Sequence, residues 1–344
     1  MSERPTIIDV ARQAGVSKST VSRVLQGDGP VSRQSQDAVW QAVAHLGYEQ
    51  NTVASSLRTD RTWLVMLITP ELTNPFWAAV ARGVQDTIEA AGYSVVIANS
   101  EWDAGRERRF LKTARRNRFD ALLINPTIVT NAELLATGVP TVLLGMRSDL
   151  QGFDNVGSDT YGGVQLALNH LYALGHRRIG FIRGQHKSGR GLARQQAYQD
   201  FLQQQSLPHD PELVVEAPYE LERGYQAAGL LLGRSMPPTA IFAANDLLAI
   251  GAMHAAHERG FAIPSQLSII GMDDIEAAAM TLPGLTTIAK PKAEIGRQAV
   301  TLLLERLAGH TPSQPRRVFL PCHLVVRGST ASPSAHAQSL IPNS

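Results

Sequence analysis

Apolar residues near the start of the chain recur with the period of an α-helix. Three stripes follow the spacing i, i+3, i+4, and they consist of Ile7, Val10, Ala11 and Ala14, then Val21, Val24 and Leu25, then Val39, Ala42, Val43 and Leu46. Thr6 and Ser17 stand where N-caps belong, and Gly15 and Gly47 stand where helices end. The pattern predicts three short helices within residues 6–47 and then a polar linker.

From residue 64 onward, short apolar runs alternate with amphipathic helical stretches. The predicted strands are 64–68, 94–98, 121–124, 141–144, 178–182, 240–244 and 268–271, with a last strand near 318–326. The predicted helices are 76–91, 106–116, 160–174, 192–205, 221–233, 247–259 and 294–307. Apolar strands separated by helices indicate parallel sheets covered on both faces. Because the alternation restarts after Asp159, we expect two consecutive α/β halves.

Charge and cysteine content narrow the function classes. The 344 residues carry a net charge of +2, and the first 61 contain seven basic and six acidic side chains. A DNA-binding function therefore has to rest on a few well-placed groups. The single cysteine, Cys322, excludes an internal disulfide and a multi-cysteine zinc site. No export-signal pattern opens the chain and no apolar run reaches the ~20 residues that span a bilayer, so we expect a cytoplasmic protein with no membrane partner.

The first two predicted helices are joined by a tight turn, Gly15-Val16-Ser17, which is typical of a helix-turn-helix. Such a unit presents the start of its second helix to the major groove of DNA. Five polar residues stand at that start: Ser17, Lys18, Ser19, Ser22 and Arg23. Short hydroxyls reach phosphates or base edges, and Lys and Arg bind phosphate or guanine. The alternative is a three-helix protein-interaction module with a solvated polar face.

The stretch TIIDVARQAGVSKSTVSRVLQGDGPVSRQSQDAVWQAVAHLGYEQNTVASSLRT resembles the DNA-binding headpiece of the LacI/GalR family of transcription regulators. The resemblance implies that Lys18 and Ser19 read operator bases and that Arg23 lies near both backbone and bases. It also implies phosphate contacts from five hydroxyl residues: Thr6, Ser17, Thr20, Ser22 and Ser32. Lys18 and Ser19 are not the pair found in the lactose repressor itself, so the resemblance implies the binding mode and not the operator sequence.

The segment NTVASSLR, residues 51–58, resembles the hinge helix of the same family. The resemblance implies that it forms on DNA and enters the minor groove, with Asn51 at its start and Ala54 close to the groove floor. Leu57 is then the wedge between base pairs, and an apolar side chain in a polar linker suits a kinking intercalator. The alternative is that Leu57 packs on the next domain.

Residues 62–330 resemble the effector domain of the family, which is similar to periplasmic sugar-binding proteins. The matching pieces include TPELTNPFWAAVARGV, LGHRRIGFIRG, PTAIFAANDLLAIGAM, SIIGMDD and LTTIAKP. The fold class expected is an α-helical helix-turn-helix headpiece plus an α/β effector domain of two parallel-sheet subdomains. The expected boundaries are a DNA-binding domain at 1–48, a hinge and linker at 49–61, an N-subdomain at about 62–160 and 292–322, a C-subdomain at about 161–291 and 323–330, and a disordered tail at 331–344.

A cleft that binds a polyol needs paired hydrogen-bonding groups and an apolar wall. Asp273, Arg194 and Asn245 provide the donors and acceptors. The resemblance implies further that Phe76, Trp77 and Tyr219 wall the pocket and that Asp159 lies at the subdomain junction. The alternatives are that Asp273 or Asp274 caps the segment after it and that Phe76 and Trp77 are plain core residues.

Three cations near one helix start bear on the kind of ligand. Lys187, Arg190 and Arg194 lie along one loop and the beginning of a helix, and such an arrangement favours an anion. A sugar acid or phosphorylated sugar is one hypothesis. The alternative is that Lys187 and Arg190 face water.

Taken together, the patterns predict a homodimeric transcriptional repressor that binds pseudo-palindromic operator DNA and responds to a sugar or sugar-acid effector. We find no catalytic constellation, phosphate loop or metal-ligand set in the sequence, and we expect no cofactor. Two alternatives are a periplasmic-type sugar-binding protein, which would carry an export signal, and an α/β sugar-modifying enzyme, which would carry a catalytic group in the cleft.

Overall fold

The computed structural model describes residues 5–27, 29–49, 61–147, 149–185, 192–310 and 312–334. The chain divides into two compact units, Met1–Thr62 and Trp63–Ser344. We call the first unit the headpiece and the second the effector unit, and we describe each by itself. Within the described residues, no helix is both long and apolar enough to cross a membrane.

The headpiece contains the three predicted helices, α1 (Ile7–Ala14), α2 (Lys18–Gln26) and α3 (Arg33–Leu46). A hydroxyl caps the start of each helix, and a glycine in the left-handed region ends each one. Between α1 and α2, Gly15 has a φ of 66°, a conformation that costs a glycine little and a residue with a side chain much more. This turn brings the apolar faces of the three helices together around a small core.

The first half of the effector unit begins with four strands and three helices in alternation. They are β1 (Leu64–Thr69), α4 (Pro75–Glu89), β2 (Ser94–Asn99), α5 (Ala104–Arg116), β3 (Ala121–Ile124), α6 (Asn131–Leu135) and β4 (Thr141–Leu144). The next strand, β5 (Asp154–Ser158), completes the run. All neighbouring strands pair in parallel, for example Leu64 with Ser94 and Val65 with Ala121.

The second half of the unit repeats this alternation. It contains α7 (Thr160–Ala173), β6 (Ile179–Gly184), α8 (Leu192–Gln204), β7 (Val214–Ala217), α9 (Leu221–Leu232), β8 (Ala240–Ala243), α10 (Asp246–Glu258), β9 (Ser268–Asp273), α11 (Glu276–Met280) and β10 (Thr286–Ala289). The chain then returns to the first half through α12 (Lys292–Leu307) and β11 (Arg317–Leu320), and it ends with β12 (His323–Val325). α12 packs closely on α4, since a Cβ at Gly83 would lie 2.1 Å from the carbonyl oxygen of Ala293.

The single strand predicted near 318–326 is wrong, because two strands occupy this stretch and belong to different sheets. β11 pairs in parallel with β5 in the sheet of order β11-β5-β4-β3-β1-β2. β12 pairs antiparallel with β10 in the sheet of order β12-β10-β9-β8-β6-β7. Pro321 and Cys322 therefore form a crossing between the two halves, in addition to the crossings after β5 and after β10. These connections make both halves discontinuous in sequence.

The disordered tail predicted from Ala331 is wrong for its first residues. The carbonyl oxygen of Ala331 accepts a hydrogen bond from Nε2 of buried His176 at 2.9 Å, and Pro333 is buried. Residues 331–334 therefore pack against the second half. The remainder of the predicted tail, 335–344, lies outside the described residues.

Candidate functional site

The start of α2 presents a group of polar side chains at the surface of the headpiece. Ser17, Lys18, Ser19 and Arg23 are exposed, and Thr20 and Ser22 are half-buried. The opposite face carries Val21 and Val24, which are buried against the other helices. The helix therefore turns one face to the core and leaves the predicted DNA-contacting residues at the surface.

Three of the predicted phosphate-contacting hydroxyls also cap helices. Oγ of Ser17 accepts a hydrogen bond from the backbone N–H of Thr20 at 3.1 Å, and Oγ of Ser32 accepts one from Ser35 at 3.2 Å. Thr6 and Asp9 form a reciprocal capping box at the start of α1. Thr6 and Ser32 are both exposed. Each hydroxyl thus lies at a helix N-terminus, which is where backbone N–H groups attract an anion. Asn51, Ala54 and Leu57 lie outside the described residues.

A cavity of about 270 Å³ opens within the effector unit, and the residues that line it follow the carboxyl ends of strands in both sheets. Ligand sites in parallel sheets form at this edge because the loops after the strands converge there. The structure brings seven of the predicted effector residues together around this cavity: Phe76, Trp77, Asp159, Arg194, Tyr219, Asn245 and Asp273. The eighth, Arg190, lies with Lys187 outside the described residues, so the three-cation arrangement stays a hypothesis.

An aromatic pair forms one wall. The rings of Phe76 and Trp77 meet edge to face with centroids 5.1 Å apart, and both residues are buried at the start of α4. Asn74 caps this helix by accepting a hydrogen bond from the backbone N–H of Phe76 at 3.0 Å. Core packing and cavity lining were alternatives in the sequence, and the structure combines them in the same two side chains.

The polar side of the cavity contains buried atoms that form no hydrogen bond within the protein. Among the described residues, Nε of Arg194, Nδ2 of Asn245 and Oδ1 of Asp273 are buried and form no hydrogen bond. The other amide atom of Asn245, Oδ1, caps α10 by accepting from the backbone N–H of Leu248 at 2.9 Å. An unpaired buried polar group costs about 1–3 kcal/mol. A ligand that supplies the missing partners removes this cost.

Lys290 is a cavity residue that sequence reasoning missed. Its side chain is only 7% exposed, and its ammonium nitrogen lies 3.3 Å from Oδ1 of Asp273 and 4.6 Å from the centroid of the Phe76 ring. Burial lowers the pKa of Lys290, while the neighbouring charge of Asp273 acts in the opposite direction. The sequence signal was its position directly after the last apolar strand of the second half, in TTIAKP.

The backbone at Asp273, at the end of β9, has an unusual conformation and is bound by the side chain of Lys292. Its φ is 127°, a value rarely adopted by a residue with a side chain. Nζ of Lys292 donates to the carbonyl oxygens of Asp273 and Asp274 at 2.6 and 2.7 Å. The alternative of a helix-capping role is wrong, since α11 has no side-chain cap. The strained turn instead directs the Asp273 carboxylate into the cavity.

Two more charged residues complete the lining. Asp159 caps α7 by accepting from the backbone N–H of Gly162 at 2.9 Å. Arg147 is a second cavity residue that sequence reasoning missed. It is buried, and it donates hydrogen bonds to the carboxylate of Asp149 and, at 3.1 Å, to the carbonyl oxygen of Thr127.

Behind the cavity, burial raises the pKa of Asp246 to about 7, and the charge of the nearby Asp273 adds to the effect. No cluster of three or more metal-ligating side chains occurs among the described residues.

Comparison with known proteins finds matches for both the headpiece and the effector unit. A family model described as "Bacterial regulatory proteins, lacI family" matches residues 6–51, and one described as "Periplasmic binding protein-like domain" matches residues 168–330. The HTH-type transcriptional regulator DegA of Bacillus subtilis is 32% identical over 338 residues, which cover 95% of this chain and 98% of the relative. The chain belongs to the lacI family of bacterial regulatory proteins. It is therefore a DNA-binding transcriptional regulator.

Other lacI-family members extend the similarity. The ribose operon repressor of Haemophilus influenzae is 36% identical over 305 residues, which cover 88% of this chain and 92% of the relative. The crystal structure of the lac repressor dimer bound to operator and the anti-inducer ONPF aligns with a TM-score of 0.87 and 27% identity, covering 96% of this chain and all of that one. A complex of the transcriptional regulator CelR with cellobiose aligns with a TM-score of 0.72 and 30% identity, covering 95% and 100%.

Proposed function

We propose that this lacI-family regulator is a homodimeric repressor whose operator affinity is controlled by a small carbohydrate-type effector bound in the 270 Å³ cavity. The observation that carries the proposal is the set of three buried atoms that form no hydrogen bond, on Arg194, Asn245 and Asp273, in a cavity that Phe76 and Trp77 also line. A sugar combines hydroxyls that both donate and accept with an apolar ring face. The cavity offers hydrogen-bond donors, an acceptor and an aromatic surface to such a ligand.

The operator contacts follow from the headpiece. Lys18 and Ser19 read bases, Arg23 contacts backbone and bases, and the hydroxyls of Thr6, Ser17, Thr20, Ser22 and Ser32 bind phosphates. Capping hydroxyls at three helix N-termini support the phosphate assignments, because backbone N–H groups and helix dipoles favour an anion at the same points. We assign Asn51, Ala54 and Leu57 to the minor groove. The lac repressor dimer bound to its operator supports two-fold binding of this kind.

Effector control follows from the way the cavity is built. Its walls come from both halves of the effector unit, and three connections join those halves: after β5, after β10 and at Pro321-Cys322. A ligand that bonds to both halves favours the conformation in which they are close, and so shifts the population between two states. The proposed domain limits are 1–48 for the DNA-binding domain and 62–330 for the effector domain. The protein acts in the cytoplasm, where its operator DNA is, and it catalyses no reaction.

The test measures operator affinity by fluorescence anisotropy, using an operator selected from random DNA and a panel of neutral sugars, aldonates and phosphorylated sugars. We expect one class to change the operator Kd by roughly 5–150-fold, the usual range of allosteric coupling. Asp273→Asn should abolish this change and leave the operator Kd without sugar as in the wild type. Asp86→Asn, which removes an exposed carboxylate on α4, is the matched control and should respond like the wild type.

Two results would contradict the proposal. One is a folded protein whose operator Kd is unaffected by every member of the panel. The other is an effector response that survives Asp273→Asn at full size, because the Asp273 carboxylate would then not be a ligand contact.

A further inference from the structure

A second, smaller cavity of about 170 Å³ adjoins the effector cavity. Its polar lining comes from both halves of the unit, with Glu71 and Glu101 on one side and Gln185 and Glu220 on the other. Trp102 and Tyr219 line both cavities. These two aromatic residues therefore form the partition between the effector cavity and the outer recess.

The partition is a contact between the two halves of the unit. Trp102 lies between β2 and α5 in the first half, and Tyr219 lies between β7 and α9 in the second. Their rings stack with centroids 5.8 Å apart and an angle of 21° between the planes. Nε1 of Trp102 donates to Oε2 of Glu71 at 3.4 Å. Both rings are half-buried, so the stack closes the effector cavity on one side and faces the recess on the other.

The backbone at Trp102 is in an unfavourable conformation that other contacts must stabilise. Glu101 and Trp102 have φ values of 51° and 57°, so two consecutive residues with side chains adopt the left-handed region. Such conformations persist only where the surrounding structure holds them, and they are concentrated at ligand clamps and switch regions. The stacking contact and the hydrogen bond to Glu71 are two of the contacts that hold this ring.

The position of the Tyr219 ring is fixed by close contacts with Gly184 and Arg194. A Cβ at Gly184 would lie 1.9 Å from the Tyr219 ring, so only a glycine at the end of β6 leaves room for the ring in this position. Nη1 of Arg194 donates to the Tyr219 hydroxyl at 3.3 Å. The Tyr219 ring is thus the fixed surface of the second half on which the Trp102 ring stacks.

We propose that Trp102 is a specificity-determining residue that ends the effector cavity and limits the effector to about the size of one sugar ring. The inference rests on the proposed carbohydrate effector. The cavity volume of 270 Å³ lies just below the ~300–1,000 Å³ of sites for drug-sized ligands. A second sugar ring attached on the Trp102 side would have to occupy the outer recess, and the indole blocks that path. Removal of the indole joins the two cavities.

The experiment measures sugar binding to the full-length protein by isothermal titration calorimetry. A panel of monosaccharides and aldonates is compared with disaccharides that carry the same unit at either end. We expect the wild type to bind one monosaccharide-sized compound and to bind its disaccharides at least about tenfold more weakly. Trp102→Ala should bind one of those disaccharides roughly tenfold or more tighter than the wild type does. Trp102→Phe keeps an aromatic wall and should restore the discrimination.

Trp40→Ala is the matched control, because it removes an exposed indole from the headpiece and should leave every sugar affinity unchanged. The inference is overturned if the wild type binds a disaccharide as tightly as its monosaccharide. It is also overturned if Trp102→Ala loses the monosaccharide and gains no disaccharide, since the indole would then be a direct ligand contact. If no compound binds to either protein, the proposed carbohydrate effector is contradicted, and the inference with it.

Discussion

The headpiece and the effector unit are stabilised in different ways. Among the described residues of the headpiece, the buried core residues are all valine or alanine: Val10, Ala11, Val21, Val24, Val39 and Ala42. The effector unit contains aromatic stacks in its core, where the ring of fully buried Phe181 lies 4.9 Å from that of Tyr198 and 5.2 Å from that of Phe242. A small aliphatic core buries little area, so helix caps account for a larger share of the stability of the headpiece.

The same contrast applies to recognition. The polar side chains at the start of α2 are exposed or half-buried at the helix surface, whereas the effector cavity includes the buried side chains of Asn245 and Asp273, which have atoms that form no hydrogen bond. The headpiece suits a large charged ligand that binds at its surface. The effector unit suits a small ligand that fills the cavity and forms hydrogen bonds with its buried polar atoms. Each of the following predictions tests one side of this contrast.

The largest effect is expected from Phe181→Ala. Removal of a buried ring from a stacked core costs about 3–5 kcal/mol, whereas Val21→Ala in the headpiece removes fewer atoms and should cost roughly 2 kcal/mol. Urea denaturation of the full chain, followed by circular dichroism and tryptophan fluorescence, measures the loss of unfolding free energy in each variant. Phe181→Ala should shift the transition of the effector unit and leave that of the headpiece in place. If Val21→Ala destabilises the effector unit as much as Phe181→Ala does, the two cores are not separate.

A pH effect should follow from His176, which is buried in the effector unit. Burial lowers its pKa to about 4, so its contribution to stability is present above about pH 6.5 and is lost as the pH falls through about 4. A difference of about 2.5 pH units corresponds to roughly 3 kcal/mol. The free energy of unfolding of His176→Asn should fall less between pH 6.5 and 4 than that of the wild type.

The control for this prediction is His45→Asn, because His45 is exposed on the headpiece and its replacement leaves the buried imidazole of the effector unit in place. Asp246 acts in the opposite direction: its raised pKa gives a contribution that is present below about pH 4 and is lost as the pH rises through about 7. The comparison of variant with wild type isolates the histidine. Parallel pH profiles for wild type and His176→Asn would exclude its role.

The smallest effect concerns two matching capping boxes, Thr6 with Asp9 in the headpiece and Thr130 with Glu133 in the effector unit. Loss of a capping hydroxyl costs about 1 kcal/mol in either place. Thr6→Ala should destabilise the headpiece and weaken operator binding, and Thr6→Ser should restore both. Thr130→Ala should destabilise only the effector unit. Equal losses of operator affinity in Thr6→Ala and Thr130→Ala would show that the Thr6 effect does not come from a DNA contact.

Several elements were predictable because their signals are local. The predicted caps Thr6 and Ser17 begin α1 and α2, and the predicted stops Gly15 and Gly47 end α1 and α3. The apolar runs at 64–68, 121–124 and 141–144 are strands. β5 was missed because its sequence, DNVGS, consists mainly of residues that strands disfavour. Its place in the sheet depends on a tertiary contact, since buried Asp154 pairs with Arg306 at 2.8 Å and with Arg316 at 2.9 Å.

The sequence by itself determined the helix-turn-helix and its polar face, because caps, turn glycine and apolar stripe all act within a few residues of one another. It also identified seven side chains that line the cavity. Only the tertiary structure decided that Lys290 is buried beside Asp273, that the chain crosses between the sheets at Pro321-Cys322, and that Trp102 closes the cavity onto Tyr219. These features join strand ends far apart in the chain, and their contacts depend on sheet order and crossings that no local pattern encodes.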